Sequence, residues 1–527
     1  MNQPPRTDSS HTKWSVNWPV GVLPLVCLAW CGPALSQSRA AAQAEPEPVR
    51  EAPFQPYLNV VESFVRQTNM PDTLSAREAD RQTHEWVTQL SPGFKVHSKG
   101  TNQEIEGGAR LDIVRYGKDS RPNQTIPIGA LQSTTEWPDS GLGLKAGWAA
   151  QREASSTASG GDPNDGYSTM TWRVAPFFEK DLSADTTLNA QVVKSLTDYR
   201  GLSETTPQRD DKQETTATAS WTTRPSPLGY QISFTHNRQS PWGQATNSAY
   251  LLSESITRLR GTWAPVPEWQ IGPIVGSEST RLETSANDGV DRNVQRKYVY
   301  DDSGNFTGWH ARWSPEERAQ LSLESENRKL GHSWQANALY RLAWTDMSAR
   351  WCRIVTAYGS SACALGANGN LDLRSLNEMG TIATTLGAHT REDASGMLTL
   401  KGRRDTLTFE AGRADITPLQ GQNTTALSER SRKYYFTSDF SHRLTRTTRF
   451  TARLNWTRAH STLMSGLNPS GTYTFSRSFS WNTAISTDLS RQAAATLGLR
   501  RLIVHSTDPL KGDSGELAAF AGLGYRF

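Results

Sequence analysis

The sequence predicts an all-β protein: a large antiparallel transmembrane β-barrel of the bacterial outer membrane, with about 16 to 20 strands and a short N-terminal periplasmic extension. Three observations predict it. Apolar residues recur at every second position over many segments. Short turns alternate with long polar connections. Finally, Glu516 to Phe527, ELAAFAGLGYRF, has one wholly apolar face made by Leu517, Ala519, Ala521, Leu523, Tyr525 and Phe527.

Composition agrees with such a wall. Of 527 residues only 36% are hydrophobic, and mean hydropathy is −0.60, yet 18 Trp, 14 Tyr and 15 Phe are present. A disordered chain of this polarity lacks aromatics, so these rings need an apolar surface to meet. The 56 basic and 52 acidic residues are spread along the chain, giving +4 overall. Without a basic stripe or large surplus, nucleic acid is not an expected partner.

The elements follow in order. Residues 1–44 read as an export signal: Lys13 precedes the apolar run Val20 to Leu35, which is too short and too broken by Pro and Gly to span a bilayer. Cleavage after residue 36 and cleavage after residue 44 both suit the small residues there. Trp30 before Cys31 argues against a lipoprotein signal. Residues 45–90 read as a polar periplasmic extension with a short amphipathic helix at 57–66, and residues 91–527 as the barrel.

Within 91–527, Thr307, Trp309, Ala311 and Trp313 alternate with Gly308, His310 and Arg312, and Phe450, Ala452, Leu454 and Trp456 with Thr451, Arg453 and Asn455. Trp334, Ala336, Ala338 and Tyr340 behave alike, as do Leu259, Gly261 and Trp263. The first strand is expected at Glu104 to Tyr116. Short turns are expected at 137–140, 178–181, 224–227, 264–268, 314–317, 402–405, 441–444 and 487–490. Long loops are expected at 153–166, 201–212, 279–304, 358–395 and 414–430. Trp137, Trp221, Trp263 and Trp313 stand near short turns, where an aromatic girdle would meet headgroups. A soluble sandwich would want more Val, Ile and Leu on its buried faces, and a solenoid would need a fixed repeat length.

After signal cleavage Cys352 and Cys363 remain. In an oxidising compartment this pair can close a loop around Gly359, Ser360 and Ser361, the alternative being two free thiols.

The run Gly308 to Arg341, GWHARWSPEERAQLSLESENRKLGHSWQANALYR, resembles the central signature of outer-membrane proteins associated with the PEP-CTERM sorting and exopolysaccharide system. Gly308, Trp313, Pro315, Glu317, Arg318, Arg328, Gly331, Tyr340 and Arg341 carry the likeness. Thr88 to Val96 and Leu400 to Phe409 are similar to further segments, while the long loops, the Cys-bearing one included, depart from the pattern. The resemblance implies a β-barrel linked to polysaccharide export and protein sorting, with exopolysaccharide or export-system proteins as partners and no catalytic residues to carry over.

Local motifs for chemistry are lacking. The ten His are scattered, with no His-Glu-x-x-His, Gly-x-Ser-x-Gly or Walker loop. Neither an enzyme nor a cofactor is expected, and His310, His332 and His460 are the residues an enzymatic site would have to use. Parity sends Arg258, Arg260, His310, Arg312, Glu324, Glu326, Gln335, Asn337, Arg341 and Arg453 to the inward face, where mixed charge and amides suit a hydrated polar chain. A polar lumen is equally expected of any barrel this wide. Leu523, Tyr525 and Phe527 form the C-terminal signal by which outer-membrane barrels are handed to the assembly machinery, with membrane lipid their later partner. Phe520 is the exception on that strand: it points inward, so it either packs on a lumen residue or marks a bulge.

Overall fold

The computed structural model describes residues 54–68, 83–118, 123–154, 166–201, 211–241, 249–285, 296–329, 331–356, 389–418, 428–465, 468–507 and 514–527. The signal at 1–44 and Cys363 lie outside them.

Among the described residues twenty-two strands form one antiparallel sheet. In chain order they are β1 (Phe54–Thr68), β2 (Thr83–Lys99), β3 (Gln103–Tyr116), β4 (Gln124–Trp137), β5 (Leu142–Ala154), β6 (Gly166–Ser183), β7 (Thr186–Gly201) and β8 (Lys212–Thr223). Then come β9 (Leu228–Pro241), β10 (Ala249–Val266), β11 (Trp269–Ser285), β12 (Arg296–Glu316), β13 (Ala319–Arg328), β14 (Gly331–Arg341) and β15 (Thr345–Thr356). The last are β16 (His389–Lys401), β17 (Asp405–Pro418), β18 (Ser428–Arg443), β19 (Thr448–Ser465), β20 (Asn468–Asp488), β21 (Ala493–Ser506) and β22 (Ser514–Arg526). Each strand pairs with its neighbours in sequence, and β22 pairs with β1, from Tyr57 opposite Arg526 to Thr68 opposite Gly515, so the sheet closes. Strands about 4.8 Å apart and tilted by about 40° close at a backbone radius of roughly 20 Å.

The strand count is a correction: 22 replaces 16 to 20. Residues 45–90 are not simply an extension, because β1 and the first half of β2 fall there, and the strand at Gln103–Tyr116 is the third rather than the first. Tyr57, Val60, Val61, Phe64 and Val65 have the spacing of a helical face, which explains the expected helix. In the barrel they divide between two faces. Val60 and Phe64 are exposed outward, while Val65 is buried inward with Val87 and Ala518, so β1 is apolar on both sides.

Several expected connections shorten for a related reason. The 178–181 turn lies inside β6, which turns at Ala184 and Asp185, and β18 runs through Arg443. The 279–304 loop loses both ends to β11 and β12, the 358–395 loop loses its end to β16, and the 414–430 loop loses residues to β17 and β18. Above the lipid both faces of a strand are wet, so alternation fades while the ladder continues.

Outside, the apolar residues are exposed: Trp137, Trp263, Trp269, Trp313 and Trp344 lie at or near the short turns, with Leu228, Ile232, Leu259 and Val275 among those on strand faces. Trp269 and Trp313 pair at 6.1 Å between ring centres. An exposed apolar band flanked by aromatic rings cannot face water stably and is what hydrocarbon requires. Short turns then face the periplasm and the longer connections face out.

Inside, large rings lie flat over glycines of the adjoining strand. Phe177 covers Gly143, Tyr435 covers Gly412, Phe306 covers Gly276 and Phe520 covers Gly498. The last contact resolves the Phe520 exception: it points into the lumen and packs on Gly498, and the β21 to β22 and β22 to β1 registers run without a shift.

Candidate functional site

The lumen wall is the candidate site, and alternation builds it. Every outward Leu, Trp or Tyr in a strand fixes its two neighbours as inward, and in this chain those neighbours are mostly polar.

On β7 to β9 the inner face is a carpet of hydroxyls and amides. Asn189, Ser220 and Ser233 form one cross-strand row, and Gln191, Thr218 and Thr235 form the next, with Thr216 and Asn237 above them. The same strands show Val192, Trp221, Tyr230, Ile232 and Phe234 to the outside.

On β10 to β13 the inner face is charged but paired. Arg258 reaches across Gly276 and Gly308 to Glu326 at 2.6 Å, and Arg260 bonds Glu324. Arg328 meets Glu278 at 2.5 Å and Glu254 at 3.8 Å, and its side chain is only 6% exposed. Beneath this layer Ile274 and Phe306 are fully buried, with the Arg258 and Arg328 guanidinium carbons 5.9 and 5.8 Å from the Phe306 ring centre. Gly276 makes room for the Phe306 ring, and Arg258 and Arg328 lie over that ring. Ions this deeply desolvated persist only because each has a partner.

The structure places Arg258, Arg260, His310, Arg312, Glu324, Glu326, Gln335, Asn337, Arg341 and Arg453 on inward positions of β10, β12, β13, β14 and β19. Arg258, Arg260, His310, Glu324 and Glu326 come together, whereas Arg341 and Arg453 stand elsewhere, Arg453 beside Asp439 at 3.3 Å. Arg341 is opposite Asp346, which pairs with Lys401. Three members of the charged cluster are not among the inward candidates that parity supplies: Glu254, Glu278 and Arg328, the last of which figures only in the resemblance. Glu254 shares parity with Arg258, which is a usable signal. Glu278 sits where β11 passes into a stretch polar on both faces, so alternation gives no signal for it.

The three histidines do not converge. His310 is buried in the lumen wall, over Gly272, and its Nε2–H donates to the Gly261 carbonyl at 2.8 Å. His332 and His460 alternate with inward Ser333 and Ala459 and so face outward. Among the described residues no group of His, Cys, Asp and Glu is placed to hold a metal ion. Cys352 is fully buried on the inner face of β15 and disulfide-bonded. At the terminus Leu523, Tyr525 and Phe527 are exposed outward, and the Phe527 amide donates to the Pro56 carbonyl at 3.0 Å.

A closed antiparallel ring, an outward apolar band with aromatic edges and a polar interior together define an outer-membrane β-barrel. No protein-family model matches the sequence, and no curated protein does. Among solved structures the chain is similar to the ferric-catecholate import receptor Fiu from E. coli K12, at 10% identity over 89% of this chain and 81% of that one, TM-score 0.48. It is also similar to a BenF-like porin from Pseudomonas fluorescens Pf-5, at 8% identity over 90% and 99%, TM-score 0.35, and to OccK9 from Pseudomonas aeruginosa, at 10% over 90% and 98%, TM-score 0.32. At those scores the likenesses carry no argument about cargo, and the barrel rests on its own strand pairing.

Proposed function

We propose that this barrel is a conduit through the outer membrane for a hydrated, weakly charged polar chain, the exopolysaccharide that the Gly308 to Arg341 resemblance suggests. The carpet on β7 to β9 carries the reading. Its hydroxyls and amides both donate and accept, as sugar hydroxyls do, so a sliding chain exchanges one partner for another at little cost. The charges on β10 to β13 support it from the other direction. They are already paired, so they hold neither a counter-ion nor a charged substrate strongly. A conduit with unpaired rings of one sign would instead select ions.

The test is the full-length protein in planar bilayers and in liposomes loaded with labelled oligosaccharides. Ionic current is expected, together with faster efflux of a neutral oligosaccharide than of a polyanionic one of equal size. Neither current nor efflux from folded protein would overturn the conduit. In a second reading residues 45 to 90 dock a periplasmic partner; it is weakened, since β1 and β2 take half of that segment, 54–68 and 83–90, into the wall.

A further inference from the structure

Arginines gather on the lipid-facing side of one sector of the barrel. Arg413, Tyr434, Arg458 and Arg477 form a cross-strand row over β17 to β20, and Arg432 stands in the next row between Asp415 and His460. All alternate with inward residues such as Gly412, Lys433, Ala459 and Ser476. The row directly beneath, toward the short turns, is Ala411, Phe436, Trp456 and Phe479. The guanidinium groups therefore begin one step beyond the apolar band, at the level of headgroups in the leaflet on the long-loop side.

Their surroundings hold them in place without neutralising them. Asp415 accepts from Arg413 Nε at 3.0 Å and from Arg432 Nε at 2.6 Å, so one carboxylate serves two arginines. Arg458 lies over the Phe475 ring, 5.3 Å from its centre, and donates to His460 Nε2 at 2.9 Å. His460 in turn bonds the Tyr473 hydroxyl. The cluster is local: one step beyond the apolar band on β10 to β12, the outward residues are Thr257, Ser277 and Asn305. Positive charge facing lipid beside hydrocarbon is costly, and phosphate is the acceptor that guanidinium groups match in charge and in fork geometry.

We propose that the outer face of β17 to β20 binds a phosphate-bearing anionic lipid of the outer leaflet, with its phosphate against Arg458 and Arg477 and its chains on Trp456 and Phe479. Asp415 positions Arg413 and Arg432 as the second wall of the site.

The experiment measures lipid retained by the full-length protein in detergent, by native mass spectrometry, with lipid A, with phosphatidylcholine and with inorganic phosphate as competitor. Lipid A is expected to be retained, to be lost as salt rises, and to bind Arg458→Ala/Arg477→Ala about tenfold or more weakly. Arg453→Ala, on the lumen side of the same strand, should leave retention unchanged. Heat-modifiable migration reports folding of each variant. If the double variant does not fold, Arg477→Ala alone, at an exposed side chain, is read instead and should still weaken retention. Equal retention of phosphatidylcholine, equal retention by the arginine variants, or displacement by inorganic phosphate at the lipid's own concentration would each overturn the proposal.

Discussion

Gly498→Ala should destabilise the barrel although it adds a single methyl group. A Cβ at residue 498 would stand 2.5 Å from the Thr483 carbonyl oxygen, and the Phe520 Cζ would lie closer still. The carbonyl belongs to the ladder between β20 and β21 and cannot retreat without stretching it; the ring would have to leave the wall. Overpacking of this kind costs about 1–3 kcal/mol, and we expect about 2. Gly396→Ala is the internal control, because its Cβ would meet nothing nearer than the Ser348 carbonyl at 3.9 Å. There, loss of unfolded-chain freedom should dominate, giving about 0.4–1 kcal/mol of stabilisation. Both variants are compared by urea unfolding in lipid vesicles, followed by tryptophan fluorescence and heat-modifiable migration. Adding Phe520→Ala to Gly498→Ala should recover only part of the loss, since the backbone clash remains. If Gly498→Ala proved as stable as Gly396→Ala, the view of the ring and glycine as a fitted pair would fail.

Three further outcomes are expected. Phe527→Ala should lower the folded, heat-modifiable fraction in membranes more than Phe520→Ala does, because Phe527 is outward and terminal while Phe520 faces the lumen; equal losses would sink that assignment. Glu62 is exposed outward between Val60 and Phe64, opposite Ala521 in the apolar band, so Glu62→Leu should raise stability in vesicles by about 1–2 kcal/mol. Arg328→Ala should cost about 3 kcal/mol by urea unfolding, because it leaves Glu278 and Glu254 buried without their cation; Arg341→Ala, at an exposed side chain, should cost well under 1.

What the sequence disclosed followed how wet each strand is. Where one face meets lipid and the other water, as in Thr307 to Trp313 or Phe450 to Trp456, period two is plain and the inward residues can be counted off. Where both faces are apolar, as in β1, the same letters also fit a helix. Where both faces are polar, as at the long-loop ends of β11 and β12, the pattern vanishes although the strands continue. The lumen cluster shows the same limit. Parity supplied Arg258, Arg260, Glu324 and Glu326, but it is blind to how far a side chain reaches. The pair of Arg258 on β10 and Glu326 on β13 spans two intervening strands and is visible only in three dimensions.

The seam between β1 and β22 has a consequence for the order of events during biogenesis. Every other ladder joins strands that follow one another along the chain, so each hairpin has both halves as soon as it is made. The seam joins Tyr57 to Arg526. Closing so long a loop costs only about 4 kcal/mol more than closing a short hairpin, since the entropy grows with the logarithm of length; the larger effect is on timing. Until β22 arrives the sheet has two raw edges with unpaired amides and carbonyls, which hydrocarbon tolerates poorly and which invite strands of other chains. The intermediate is therefore a curled ribbon that needs shelter, and the bond from the Phe527 amide to the Pro56 carbonyl lies at the rim where that shelter is given up.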